Sequence, residues 1–161
     1  MIPAQQKQIF RAKLKYSRGK LSSRQVTELS EAVQQKLIDT IDWDSLNSLH
    51  IYQAIAKNNE MKTDKIISFA ESHGKKIYFP NINKMPRNER FDVVIVPTVG
   101  FDRQGRRLGY GGGFYDRFLA NNRCGRIIGL AYSQSEVSSI TAESHDQKLH
   151  SVITENEVID F

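Results

Sequence analysis

Between Gly100 and Gly113 the chain places six of its ten glycines, in the stretch GFDRQGRRLGYGGG, and follows them at once with Phe114, Tyr115, Asp116 and Arg117. Glycine has no Cβ, reaches positive φ, and lets backbone N–H groups approach a phosphate closely. A loop of this kind that runs into a helix also presents the helix's positive end to an anion. Arg106 and Arg107 precede the last glycines. Asp116 follows them where an oxygen ligand could hold Mg²⁺ against substrate phosphates. The named phosphate motifs do not match: there is no G-x-x-x-x-G-K-[ST], and Phe114 stands where a dinucleotide fingerprint wants glycine or alanine. A glycine-rich turn with aromatics plugging the core, and a solvated first-turn acid at position 116, are the plainer readings of the same residues.

A second basic group lies near the start. Lys7, Arg11, Lys13, Lys15, Arg18, Lys20 and Arg24 all precede the first acidic residue, Glu28, in a chain of 161 residues with formal net charge +5. Lys7 and Arg11 are four apart, so on a helix both project from one face toward a common point. The plainer alternative is a solvated basic face. The single cysteine, Cys124, excludes an internal disulfide and a thiolate metal cluster. His73 and His145 receive no role, because a lone histidine carries little information.

These residues need a frame to hold them. PAQQKQIFRAKLKYSR predicts a helix with Ile9, Phe10 and Leu14 on its apolar side. SSRQVTELSEAVQQKLIDTI predicts a second, capped by Ser22 or Ser23 and buried along Val26, Leu29, Val33 and Leu37. A third opens at Thr63 and closes at Gly74, and a fourth runs from Tyr115 to Asn121. Strands are predicted in SLHIYQAIA, KKIYFP, FDVVIVP, GRIIGLAY and SVITE. The apolar run of FDVVIVP suits a central parallel strand covered on both faces. This alternation implies one α/β domain over 1–161, a three-layer αβα fold with a mostly parallel central sheet. Ligands in such folds sit at the carboxyl ends of the strands, where the glycine loop begins. No membrane span and no secretory leader are recognised, so the cytoplasm is the expected location.

VVIVPTVGFDRQGRRLGYGGGFYDRFL resembles, ungapped, the signature segment of the 5-formyltetrahydrofolate cyclo-ligases, also called methenyltetrahydrofolate synthetases, with Thr98, Val99 and Phe114 as mild changes. KQIFR, IYQAIAKNNEMKTDKII and the carboxyl-terminal GLAYSQSEV…ESHDQKLHSVITE are similar to further blocks of that family, so the resemblance covers most of the chain. It implies ATP- and Mg²⁺-dependent closure of 5-formyltetrahydrofolate to 5,10-methenyltetrahydrofolate, with the formyl oxygen taking the γ-phosphoryl group and N10 attacking the activated carbon. Such chemistry relies on positioning and charge neutralisation more than on a nucleophilic side chain.

By the same resemblance, ATP is held by Lys7, Arg11 and the run Arg107, Leu108, Gly109, Tyr110, Gly111, Gly112, Gly113, Phe114 and Tyr115. Arg107, Tyr115 and Asp116 act in catalysis, and Asp116 with Asp146 binds Mg²⁺. The folate falls to Tyr52, Ile55 and Glu60, together with Tyr110, Gly111, Gly112, Gly113 and Phe114. A carboxylate at 60 suits a pterin, whose amino group and ring N–H donate two parallel hydrogen bonds. Ile55 reads equally well as an ordinary core residue.

Two positions depart from the family. Only eleven residues separate Pro80 from Asp92, where the family has a longer insert that contributes to its folate pocket, and His150 stands where an aspartate is common. Two readings follow: a shortened working cyclo-ligase, and a non-catalytic ATP- or folate-binding relative. The partners implied are small molecules, acting on a monomer without membrane or nucleic acid. RLGYGGGF lacks the register of an aromatic RNA-binding strand, since Gly112 sits where a base-stacking residue is needed.

Overall fold

The computed structural model describes residues 1–161. Four helices, α1 (Pro3–Gly19), α2 (Ser23–Thr40), α3 (Asp64–Ser72) and α4 (Phe114–Asn121), accompany a six-stranded sheet. The strands are β1 (Ser48–Ile51), β2 (Lys76–Tyr78), β3 (Arg90–Pro97), β6 (Arg123–Leu130), β7 (Ser151–Ile153) and β8 (Val158–Asp160) in the order β2-β1-β3-β6-β7-β8. All neighbours are parallel except β7 and β8. A small hairpin, β4 (Gly100–Phe101) with β5 (Arg107–Leu108), stands apart from the sheet.

β3 lies between β1 and β6, and its apolar run serves both faces. Val93 and Ile95 join the core under α2 and α3, whereas Val94 and Val96 join Phe118 and Leu119 of α4 on the opposite face. Helices therefore cover both sides of a mostly parallel sheet, the α/β arrangement read from the sequence. A third, smaller cluster of Val99, Leu108 and Ile140 seats Phe10 and Leu14 of α1 against the hairpin.

Local chemistry explains the boundaries. Ser22 caps α2 through a reciprocal pair in which Gln25 N–H donates to Ser22 Oγ and Ser22 N–H to Gln25 Oε1. Thr63 does occupy the N-cap position of α3, but its hydroxyl donates instead to the Tyr52 carbonyl. Gln34 of α2 takes over the capping: its Oε1 accepts from Lys65 N–H and Ile66 N–H. That is why Gln34 and Ser30, which accepts from Lys62 N–H, are buried beside Val33 and Leu37, while Leu29 is only half-buried. Two features were not anticipated, the β4–β5 hairpin and β8, and Ile9 is exposed where an apolar helix side was expected.

Candidate active site

A cleft of about 420 Å³ opens beyond the carboxyl end of β3. Its walls are α1, the segment from Arg107 to Asp116, and the loop carrying Glu143, His145 and Asp146. The glycine loop forms one side. Gly113, at φ +70°, is the left-handed residue that turns the chain into α4, and no side chain caps that helix. Gly112 differs: a Cβ there would meet nothing within 4 Å, and its φ lies outside the left-handed region. The fold itself does not require glycine at 112, whereas a ligand approaching the backbone would.

The buried side of α1 is cationic. Its buried residues are Lys7 and Arg18, only 4% exposed each, and Arg11 lies between them on the same side. Arg11 Nε donates to the Gly109 carbonyl over 2.8 Å, tying the helix to the glycine loop. Arg107 Nη1 donates to the Pro97 carbonyl over 3.0 Å, and its guanidinium carbon lies 5.7 Å from the centre of the Tyr115 ring. Arg107 Nε and the Tyr115 hydroxyl are buried without a partner. Burial pulls the Arg107 pKa below its ordinary value, opposed chiefly by the charge of Asp116, and raises that of the Tyr115 hydroxyl. Unpaired donors lining a cleft are what an anionic ligand would satisfy.

The acids face these cations. Lys7 Nζ reaches Asp146 Oδ2 at 2.5 Å and Glu143 Oε2 at 2.6 Å. Burial works against the Lys7 charge, but hydrogen bonds to Asp146 and Glu143 outweigh it, so its pKa lies above the ordinary lysine value. Asp146 shows the converse: burial disfavours its charge, yet Lys7 and the Glu143 N–H hold it below the ordinary aspartate value. Glu143, His145 and Asp146 bring ligand atoms within 4.8 Å of one another. Asp116 lines the same cleft outside this trio, with Oδ1 accepting from Gln147 N–H at 3.0 Å.

The expected folate residues divide. Glu60 is 5% exposed; its Oε1 accepts from the Tyr110 hydroxyl at 2.6 Å and its Oε2 from Ile55 N–H at 2.6 Å. Arg18 Nη2 donates to the same Tyr110 hydroxyl at 2.8 Å, so Arg18, Tyr110 and Glu60 form a chain running from the cleft's edge. Glu60 also lines a second cavity of about 430 Å³, between the start of α2 and the residues leading into α3. Tyr52 is buried in the main core, its hydroxyl donating to the Met61 carbonyl, and Ile55 is 44% exposed with only its backbone N–H engaged by Glu60. Neither lines either cavity. Leu108 is fully buried beneath the loop, whereas Tyr110, Gly111 and Phe114 line the cleft.

Arg18 and Glu143 were not singled out in the sequence. Arg18 carried a signal, since positions 7, 11 and 18 fall on one helical face. Glu143 carried none, because its pairing with Lys7 spans 136 positions.

Fold and cleft together define an α/β protein with a basic, glycine-lined cavity at the carboxyl ends of its parallel strands. Comparison with known proteins narrows this. A sequence model of the 5-formyltetrahydrofolate cyclo-ligase family matches residues 3–89 and 82–155. The chain belongs to that family. It is 25% identical over 185 residues to the 5-formyltetrahydrofolate cyclo-ligase of Haemophilus influenzae, covering 92% of this chain and 97% of that one. To the enzyme of that name from Mycoplasma pneumoniae it is 26% identical over 164 residues, covering 92% and 98%. Two solved structures share the fold. The 5,10-methenyltetrahydrofolate synthetase of Aquifex aeolicus superposes with a TM-score of 0.83 at 23% identity, over 96% of this chain and 92% of that one. That of Mycoplasma pneumoniae gives 0.78 at 24%, over 92% and 98%.

Proposed function

We propose that the protein uses ATP and Mg²⁺ to convert 5-formyltetrahydrofolate into 5,10-methenyltetrahydrofolate, ADP and phosphate. The observation that carries this reading is a single cleft that combines buried cations, unpaired donors, a glycine at 112 without structural cause, and carboxylates. Lys7, Arg11 and Arg107, with the backbone of Gly109 to Gly113, bind the triphosphate and neutralise the charge that the moving phosphoryl group carries. Asp146 and Asp116 would hold Mg²⁺ through hard oxygen ligands, and the ion would supply positive charge against the phosphates. Tyr115 sets its ring under the Arg107 guanidinium and holds that cation in place beside the phosphates. Glu60, fixed by Tyr110 and Ile55 N–H, keeps acceptor capacity for the pterin.

The formyl oxygen attacks the γ-phosphorus as ADP leaves. N10 then attacks the activated formyl carbon, and loss of phosphate leaves the methenyl bridge. Both steps need the two substrates aligned, and the Arg18–Tyr110–Glu60 chain is the physical link between folate and nucleotide. The short segment between Pro80 and Asp92 is compatible with turnover. The Mycoplasma pneumoniae relative, whose chain is covered to 98% by an alignment of 164 residues, is hardly longer than this one and carries the enzyme's name.

The test is direct. Purified protein with ATP, Mg²⁺ and 5-formyltetrahydrofolate is expected to generate the near-ultraviolet absorbance of the methenyl product, and Asp116→Asn to lower the rate by about 100-fold or more while the protein stays folded. ATP binding with no absorbance change under any condition would identify a non-catalytic relative instead.

A further inference from the structure

The ammonium group of Lys7 already occupies the place where a cation would meet the acids of the cleft. It lies 2.5 Å from Asp146 and 2.6 Å from Glu143, on a side chain that is 5% exposed, deep in the wall of the cleft. Those carboxylates, with His145, make the cleft's metal-competent trio. A ligand is independently indicated: Tyr115, 8% exposed, lines the same cleft with a hydroxyl that has no partner, and Arg107 Nε is likewise unpaired. The cleft thus has spare donors for an anion, while the carboxylates of Glu143 and Asp146 are already engaged by an ammonium.

We infer that Lys7 is a specificity-determining residue that makes the acidic wall accept a divalent cation only when it arrives with nucleotide phosphates. The inference rests on the nucleotide reading above. A free divalent cation at Glu143 and Asp146 must share a small volume with a buried ammonium, and like charges at such separations repel strongly in a poorly solvated site. A triphosphate changes the balance. Its oxygens give Lys7 a new anionic partner, and the short, flexible reach of a lysine lets the ammonium turn from carboxylate to phosphate without moving α1. The carboxylates are then released to the metal that the phosphates bring. Arg11 cannot serve in this way, because its Nε is committed to the Gly109 carbonyl. The outcome is a site that binds metal and nucleotide as one ligand, and that does not fill with free cation.

Manganese binding, followed by electron paramagnetic resonance of free Mn²⁺ and by calorimetry, tests this without any turnover. The wild type is expected to bind Mn²⁺ weakly alone and about ten-fold or more tightly when ATP is present. Lys7→Met should bind Mn²⁺ about ten-fold or more tightly without nucleotide, and Lys7→Met with Asp146→Asn should lose that gain. Lys7→Gln replaces it should Lys7→Met fail to give a cooperative melt. Equal Mn²⁺ affinity in wild type and Lys7 variants overturns the inference, as does tight Mn²⁺ binding by the wild type without nucleotide, a result that needs no variant. Failure of the wild type to bind ATP with metal would instead overturn the nucleotide reading.

Discussion

A methyl group at position 112 would touch no atom within 4 Å, yet the residue there is glycine. At Gly113 the left-handed φ already requires glycine. The two neighbours therefore separate structural from chemical need. Gly112→Ala should leave the melting temperature unchanged or raise it, since alanine lowers the entropy of the unfolded chain by about 0.4–1 kcal/mol. ATP affinity measured by calorimetry should fall about ten-fold, the worth of one hydrogen bond to a charged group. A variant that is stable and binds ATP as before would show that no ligand passes over this residue.

His50 of β1 makes the second point at this scale. It is 2% exposed, its ring centre 4.2 Å from that of Phe118 and edge-on to Phe91 and Tyr115, with Nδ1 unpartnered. Burial lowers its pKa to about 4. An unfolded histidine takes up its proton below about 6.5, whereas the folded one resists until about 4, so the unfolded state binds more protons between these values. Stability should fall as pH drops through that window, by on the order of 3 kcal/mol in total. Asp92 and Asp146, whose pKa values are lowered, lose their stabilising charge only at lower pH, below the ordinary aspartate value of 3.8. Urea unfolding at pH 7 and pH 5 should show this slope in the wild type and lose most of it in His50→Phe; an unchanged slope would exclude His50 as the source.

Among the elements, α3 shows how a cap can be supplied from outside. Thr63 has the right type and position, but its hydroxyl is drawn to the Tyr52 carbonyl, and Gln34 of α2 supplies the acceptor. Gln34→Leu should cost about 1–3 kcal/mol in urea unfolding, because it strands the buried Ile66 N–H and the half-buried Lys65 N–H. ATP binding should be unaffected, as Gln34 is remote from the cleft residues. A loss below the lower bound would mean that water replaces the amide. The same contact explains a limit of reading periodicity: Gln34 and Ser30 interrupt an apolar stripe for reasons that lie in another helix. The helix α1 was legible as an element, but not its orientation. Its buried face carries Lys7 and Arg18, an arrangement no amphipathic pattern encodes, and Ile9 turns outward. β4, β5 and β8, two or three residues each, exist through pairing rather than propensity and left little trace in the sequence.

At the scale of the whole molecule, the parallel sheet and its covering helices followed from the alternation of strand-like and helix-like segments. The glycine loop's place at a strand's carboxyl end followed from fold class alone. The opposite wall did not. It comes from residues 143–146, in the long connection between β6 and the neighbouring parallel strand β7, which the fold sets against α1. Tyr52 is the converse case: the family resemblance implied a pocket residue, and just past the end of β1 it lies in the core with Leu49 and Ile51. Electrostatic complementarity across the cleft is thus a property of topology, invisible to any local window.

The span of 139 positions between Lys7 and Asp146 also has a consequence for biogenesis. A chain leaving the ribosome amino end first exposes the cations of α1 long before their partners exist. The cleft gains its acidic wall only once residues 143–146 have been made. A message truncated before codon 143 therefore encodes a polypeptide without the acidic wall, not a weaker version of the whole. Assembly of the site therefore waits on residues 143–146, made long after α1.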